Sequence, residues 1–167
     1  MKQNSLYFFK SNDIYTISAD STLPFEQHRD IFYLSGIDQE ESILMLCPNA
    51  SDLNYREVLF LKETNEHIAI WEGEKLTKQQ AFETSGIKTV FWLDEMEKII
   101  KSLVINCDNI YFNHNEHYRA NVEVETREER FNKWIENKFP KINKERSNPI
   151  LQHLRSVKDN IELELIQ

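Results

Sequence analysis

The sequence has little glycine and little cysteine, and these scarcities restrict its chemistry. Its 167 residues include three glycines, at positions 36, 73 and 86, so the glycine-rich loops that cradle phosphate groups are excluded. The two cysteines, Cys47 and Cys107, lack the close spacing of zinc-binding pairs. In a reducing compartment we expect both to be free, buried thiols.

The sequence also lacks an excess of basic residues, and it lacks long apolar runs. The formal net charge is −8, from 20 Lys and Arg against 28 Asp and Glu, which argues against a nucleic-acid partner. No apolar run approaches the roughly 18 residues of a membrane span. The run at 6–9 is too short for the core of a signal peptide. We therefore expect a cytoplasmic protein that binds neither nucleic acid nor membrane.

Strand-like and helix-like patterns alternate along the chain. Stretches rich in β-branched and aromatic residues predict strands at 6–9, 14–18, 30–35, 42–47, 57–62, 67–71, 88–92 and 109–113, the last of these being the final strand, with a hairpin-like connection at 63–66. Capping boxes at 77–80 and 126–129 predict helices that end at Gly86 and at Pro140. Between them, the apolar residues from Met96 to Val104 fall on one helical face. This alternation is typical of a layered α/β or α+β domain.

The C-terminal residues start a new helical pattern. It begins at Asp159, with Glu162 three residues later as in a capping box, and still runs at Gln167 without a terminating residue. We expect the natural polypeptide to continue beyond this point.

Three features of the sequence have residue types that occur in catalytic or metal sites. His114 and His117 lie three residues apart but in an Asn-rich stretch that predicts a solvated loop. Cys47 ends the most apolar run, where a buried structural thiol is the usual occupant. The acidic turn of Asp38, Glu40 and Glu41 is best interpreted as a solvated loop rather than a glycosidase-type pair.

Two aromatic junctions favour a binding surface instead. Arg29 and Asp30 come directly before the aromatic stretch of Phe32 and Tyr33, and Trp71 closes a predicted strand two residues before Gly73. A large aromatic side chain at such a junction is typical of an interface, although packing at the edge of the core is the structural alternative.

The order of several stretches resembles a known family. These stretches are, in order, RDIFYLSGIDQEESILML, REVLFLKE, AIWEGEKLT and LQHLRSVKD. Their order and spacing resemble the N-terminal domain of the Xaa-Pro aminopeptidases (aminopeptidase P), which is a domain of the creatinase/prolidase type. The pattern W-x-G-x-x-L matches Trp71, Gly73 and Leu76 and favours aminopeptidases over dipeptide-specific prolidases. Arg155 and Lys158 match the family's connecting segment, where Asp159 and Asn160 replace the usual Ser-Pro.

The resemblance implies an α/β fold with three layers, a mixed sheet of about six strands flanked by helices. It implies an N-terminal domain at 1–150, and at 151–167 a linker with the start of a catalytic domain that this chain lacks. The parent protein would release an N-terminal residue that precedes proline, using two divalent metals, usually manganese, held entirely by that second domain. This chain would bind no metal and would be inactive alone.

The resemblance also implies a role for this domain. It would control substrate access and assemble a homo-oligomer, with its own catalytic domain as partner and proline-containing peptides as substrates. Asp30 would attract the α-amino group of a peptide and Trp71 would pack on its side chain. A pseudo-peptidase module that binds peptides or proteins without hydrolysis is the alternative.

Overall fold

A mixed six-stranded sheet forms the centre of the computed structural model, which describes residues 2–120 and 124–166 and, for Trp71, the backbone alone. In spatial order its strands are β6 (Thr89–Trp92), β5 (Glu57–Leu61), β4 (Ile43–Leu46), β1 (Ser5–Lys10), β7 (Asn109–Phe112) and β8 (Asn143–Arg146). β1 is antiparallel to β4 and parallel to β7, and the outer pairs β5–β6 and β7–β8 are parallel. Two short strands, β2 (Thr16–Ser18) and β3 (Ser21–Thr22), form a separate exposed hairpin.

The described residues form seven α-helices. They are α1 (Arg29–Ser35), α2 (Glu66–Glu72), α3 (Lys78–Ser85), α4 (Met96–Val104), α5 (Arg127–Lys138), α6 (Asn148–Ser156) and α7 (Asn160–Ile166). The parallel strand pairs require helical crossovers, which α2 with α3, and α5, supply. No helix in this described part of the chain has both the length and the apolar character that a membrane span requires.

The core has two apolar layers, one on each face of the sheet. Phe8 and Met45 point to the face covered by α4 and α5, where they join Ile100 and Ile135. On the opposite face the core consists of Tyr7, Phe9, Ile31, Ile37, Leu44, Leu59, Leu61, Ala81, Ile87, Tyr111 and Leu151, and so includes residues of α1, α3 and α6. Because β1 lies at the centre, all six of its residues are buried. The predicted three-layer α/β fold with a mixed six-stranded sheet is confirmed.

The strand predicted at 30–35 is wrong, because these residues form α1. The His28 side chain caps the helix by accepting from the amide of Asp30, and Gly36 ends it at φ 69°. Ile31 and Ser35, four residues apart, are the buried positions, so packing on the sheet follows a helical period and overrides the β propensity of the aromatic residues.

The strand predicted at 67–71 is also wrong, and so is the hairpin-like connection before it. Asn65 lies in the predicted turn, but its side chain accepts a hydrogen bond of 2.9 Å from the amide of Ile68 and so begins α2. Gly73 then ends the helix. The chain therefore passes from β5 through α2 to α3 rather than through another strand.

The prediction that 109–113 is the last strand is wrong as well. β8 follows it and pairs in parallel with β7, so that Asn109 lies opposite Asn143. The sequence of β8, NKER, has no apolar face. β8 is a mostly exposed strand at the edge of the sheet, where charged residues are favoured. Both predicted capping boxes are present, and α5 ends at Lys138, before Pro140.

Candidate functional site

Helix α1 is capped at both ends, and its buried residues determine which of its side chains face outward. The amide of Asp30 donates to His28 Nδ1 at 3.3 Å, and the amide of Gly36 donates to the carbonyl of Phe32 at 2.7 Å. With Ile31 held against the sheet, Asp30 lies on one flank of the helix, while Phe32 and Tyr33 are exposed.

Asp30 is held by two other elements. Its Oδ1 accepts from Arg155 Nη1 of α6 at 2.8 Å, and its Oδ2 accepts from Asn113 Nδ2, just after β7, at 2.9 Å. The Asp30 side chain is only 16% exposed. Asp30 therefore ties α1 to α6 and to the end of β7, and its negative charge faces the Arg155 guanidinium.

A groove runs between α1 and α7. Its cavity of about 940 Å³ is lined on one side by Phe32 and Tyr33, and on the other by Leu165 and Ile166. Acidic and basic side chains of Glu26, Arg29, Asp38, Arg155, Lys158, Asp159 and Glu162 also line it. An apolar groove interspersed with charges of both signs has the composition of a surface that receives a peptide or a protein segment.

Arg155 connects Asp30 to this groove. Its guanidinium carbon lies 5.7 Å from the centroid of the Tyr33 ring while the same group bonds to Asp30. A planar guanidinium can make both contacts at once, whereas a lysine ammonium would not match them. One side chain of α6 thus contacts both a carboxylate and an aromatic ring of α1.

Trp71 lies on a different element from Asp30. Its backbone belongs to the last turn of α2, and its side chain lies outside the described residues. No described residue of α2 lines the groove or the smaller cavity that Asp30 lines together with Arg155. The two residues predicted to bind substrate therefore stand on separate helices within this chain.

Two carboxylates of the acidic turn form ion pairs with lysines from the segment that follows β5. Glu40 pairs with Lys75, and Glu41 Oε2 lies 3.0 Å from Lys62 Nζ. These two carboxylates therefore act as ion-pair partners between connecting segments. Asp38 lines the α1–α7 groove instead.

His114 and His117 lie in the exposed loop after β7, as predicted. Within residues 2–120 and 124–166, no three His, Cys, Asp or Glu side chains are arranged to hold a metal ion. Cys47 is buried and Cys107 half-buried, and both are free thiols. The adjacent Cys47 thiol, together with burial, raises the pKa of Cys107.

Sequence reasoning missed the partners of Asp30. Asn113 and Arg155 are 83 and 125 residues away along the chain, so no local pattern links them. The only sequence signal was that Arg155 matches the family's connecting segment, and this match does not indicate which residue Arg155 contacts. The burial of Lys10 is also not evident from the sequence, because Lys10 ends an apolar run and is nevertheless only 1% exposed.

Comparison with known proteins places this geometry in a family. The family described as "Aminopeptidase P, N-terminal domain" matches residues 1–111, about two thirds of the chain. The fold also matches a Bacillus anthracis structure classed as an aminopeptidase P, with a TM-score of 0.84 and 25% identity over 99% of this chain and 39% of that one. Escherichia coli aminopeptidase P has the same fold, with a TM-score of 0.76 and 22% identity over 98% and 37%. The chain belongs to the aminopeptidase P N-terminal domain family.

Curated relatives agree with this assignment. The chain is 29% identical over 118 residues to the Xaa-Pro aminopeptidase of Escherichia coli K12, which covers 71% of this chain and 26% of that protein. It is 24% identical over 160 residues to Xaa-Pro aminopeptidase 3 of Rattus norvegicus, covering 94% and 31%. The chain thus spans between a quarter and a third of the length of these relatives.

Proposed function

We propose that this chain is the N-terminal, non-catalytic domain of a metal-dependent Xaa-Pro aminopeptidase. The match to the N-terminal domain of aminopeptidase P over residues 1–111 carries the proposal. The relatives named Xaa-Pro aminopeptidases are three to four times longer than the aligned region, so a second domain would carry the catalytic groups. The parent protein would release an N-terminal residue preceding proline, with two divalent metals, manganese by resemblance, in that domain.

The domain boundary belongs to this proposal. Residues 1–150 would form the N-terminal domain, and 151–167 would be the linker and the start of the first catalytic-domain helix. Support comes from α7, whose Ile161, Leu165 and Ile166 are 69%, 83% and 68% exposed. A short helix with that much exposed apolar surface is typical of a segment that packs against something further. Leu151 is buried against the sheet, so the first part of the linker would be anchored to this domain.

We further propose that the domain controls substrate access and contributes to a homo-oligomer. The α1–α7 groove supports this role, because it presents aromatic and aliphatic side chains beside charged ones. Trp71 would pack on the substrate side chain. Asp30 would attract the α-amino group of the substrate while it stays paired with Arg155. A cytoplasmic location stays a prediction of the sequence.

Sequencing the gene beyond codon 167 tests the proposal directly. We expect a following domain with two Asp, one His and two Glu in that order as metal ligands. If they are absent and the full-length protein binds a proline-containing peptide without cleaving it, the chain belongs to a pseudo-peptidase binding module, and the enzymatic proposal is wrong.

A kinetic experiment tests the site residues. In the full-length protein with manganese, Trp71→Ala should lower kcat/KM for an Xaa-Pro peptide, on the order of tenfold, because a substrate contact is lost. Tyr118→Ala is the matched control, since Tyr118 is an 82% exposed aromatic residue in the loop after β7. Equal kcat/KM for wild type and Trp71→Ala would remove Trp71 from the site.

A further inference from the structure

A polar cavity lies at the carboxyl ends of the parallel strands β1 and β7. It measures about 290 Å³, roughly the liquid volume of ten water molecules at about 30 Å³ each. Its lining includes Lys10 at the end of β1, His114 after β7, and Arg127 and Glu128 in the first turn of α5. It shares no lining residue with the α1–α7 groove. In open α/β sheets, the crevice outside the carboxyl ends of strands is the usual place for a ligand.

Lys10 supplies a buried cation with free hydrogen-bond donors. The residue is 1% exposed, its Nζ donates to Asn132 Oδ1 at 3.3 Å, and it lies 4.7 Å from the centroid of the Phe131 ring. An ammonium group has three donors, so two of them have no acceptor among the described residues. Burial lowers the pKa of Lys10 to about 8, which an anionic partner in the cavity would reverse.

Glu128 supplies the complementary acceptor. Its Oε1 is buried and has no hydrogen-bond partner in the described part of the chain. His28 Nε2 lies 3.9 Å from this oxygen, which is too long for a hydrogen bond. Because His28 Nδ1 accepts from the amide of Asp30, the hydrogen of the neutral ring lies on Nε2 and faces this gap.

We propose that this cavity binds a small zwitterion, an α-amino acid, with its carboxylate toward Lys10 and its ammonium toward Glu128. A simple anion would leave the Glu128 oxygen without a donor, and a simple amine would leave two of the three Lys10 donors without an acceptor. A ligand with both charges satisfies both groups, and buried polar groups are rarely left unpaired in folded proteins. Two other carboxylates of the lining already have partners: Asp13 accepts from Arg130 Nη2 and from the amide of Arg127, and Glu129 closes the cap of α5.

The test is a titration of the 167-residue chain with glycine, L-alanine and L-leucine, followed by amide chemical shifts in NMR spectra. We expect saturable shifts confined to residues that line the cavity, such as Lys10, Ser11 and Glu128. N-acetyl-L-alanine, which lacks the ammonium, and L-alanine methyl ester, which lacks the carboxylate, should bind at least tenfold more weakly than L-alanine.

Variants make the assignment residue-specific. Glu128→Gln keeps the size of the side chain and should weaken L-alanine binding at least tenfold, as should Lys10→Met. Lys141→Met and Glu164→Gln change exposed residues elsewhere and should leave binding unchanged. The proposal is overturned if no amino acid shifts these amides, if shifts map to the α1–α7 groove, or if the singly charged analogues bind as well as L-alanine. The analogue comparison uses the wild-type chain, so it decides the matter even if a variant does not fold.

Discussion

Replacement of Lys10 by methionine should stabilise the protein. The ordinary lysine pKa of 10.5 falls to about 8 in the folded chain because burial disfavours the charged form. A difference of 10.5 minus about 8, at about 1.4 kcal/mol per pKa unit, means that the buried charge costs about 3 kcal/mol at neutral pH. Methionine fills similar space beside Phe131 but gives up the hydrogen bond to Asn132, a loss of about 1 kcal/mol. The expected net gain is about 2 kcal/mol.

The pH dependence fixes the origin of this gain. Between about pH 8 and 10.5 the unfolded chain binds the Lys10 proton more tightly than the folded chain, so the wild-type free energy of unfolding rises with pH through this window. The advantage of Lys10→Met should therefore be full below pH 8 and shrink above it. Urea unfolding of wild type, Lys10→Met and the exposed control Lys141→Met, in buffer free of amino acids, measures both quantities. If Lys10→Met is destabilising at neutral pH, or if its advantage does not change with pH, burial does not destabilise the Lys10 ammonium and the predicted gain is wrong.

Two other predictions concern α1. A double-mutant cycle of Asp30→Asn and Arg155→Met, measured by urea unfolding, should give a coupling energy of about 1 kcal/mol, because the pair is partly buried with side chains 16% and 36% exposed. Strictly additive effects would mean that the 2.8 Å contact contributes nothing. Gly36→Ala should cost about 1–2 kcal/mol in thermal or urea unfolding, since a Cβ at φ 69° is strained although its nearest neighbour, the Thr84 carbonyl oxygen, is 3.7 Å away. Gly86→Ala, at φ 74°, should cost a similar amount, and no loss at either position would contradict the left-handed caps.

The sequence predicted those elements whose signals are local. The strands β1, β4 and β5 are apolar runs long enough to be buried on both faces, and the Thr77 and Thr126 capping boxes form within four residues of chain. The residues of α1 and α2 predict strands because their aromatic and β-branched side chains carry β propensity. In α1 the helical period is visible only in the structure, where Ile31 and Ser35, four residues apart, are buried.

The features that sequence could not predict depend on contacts between distant segments. β8 has no apolar pattern, and it forms a strand because it pairs with β7 at the edge of the sheet. Lys10 at the end of an apolar run looks like the exposed end of a strand, and it is buried only because Phe131 and Asn132 of α5 cover it. The neighbours of Asp30 in sequence indicate a binding surface, whereas its environment in the structure comes from Asn113 and Arg155.

The two candidate sites are joined through the start of α1. His28 caps the helix with Nδ1 and faces Glu128 of the polar cavity with Nε2, while Asp30, two residues later, holds Arg155 beside the α1–α7 groove. An ammonium donates only, so a ligand that places its ammonium at Glu128 makes no hydrogen bond to the Nε2 hydrogen of His28. The link between the two sites is therefore the His28 cap itself, which lies two residues before Asp30.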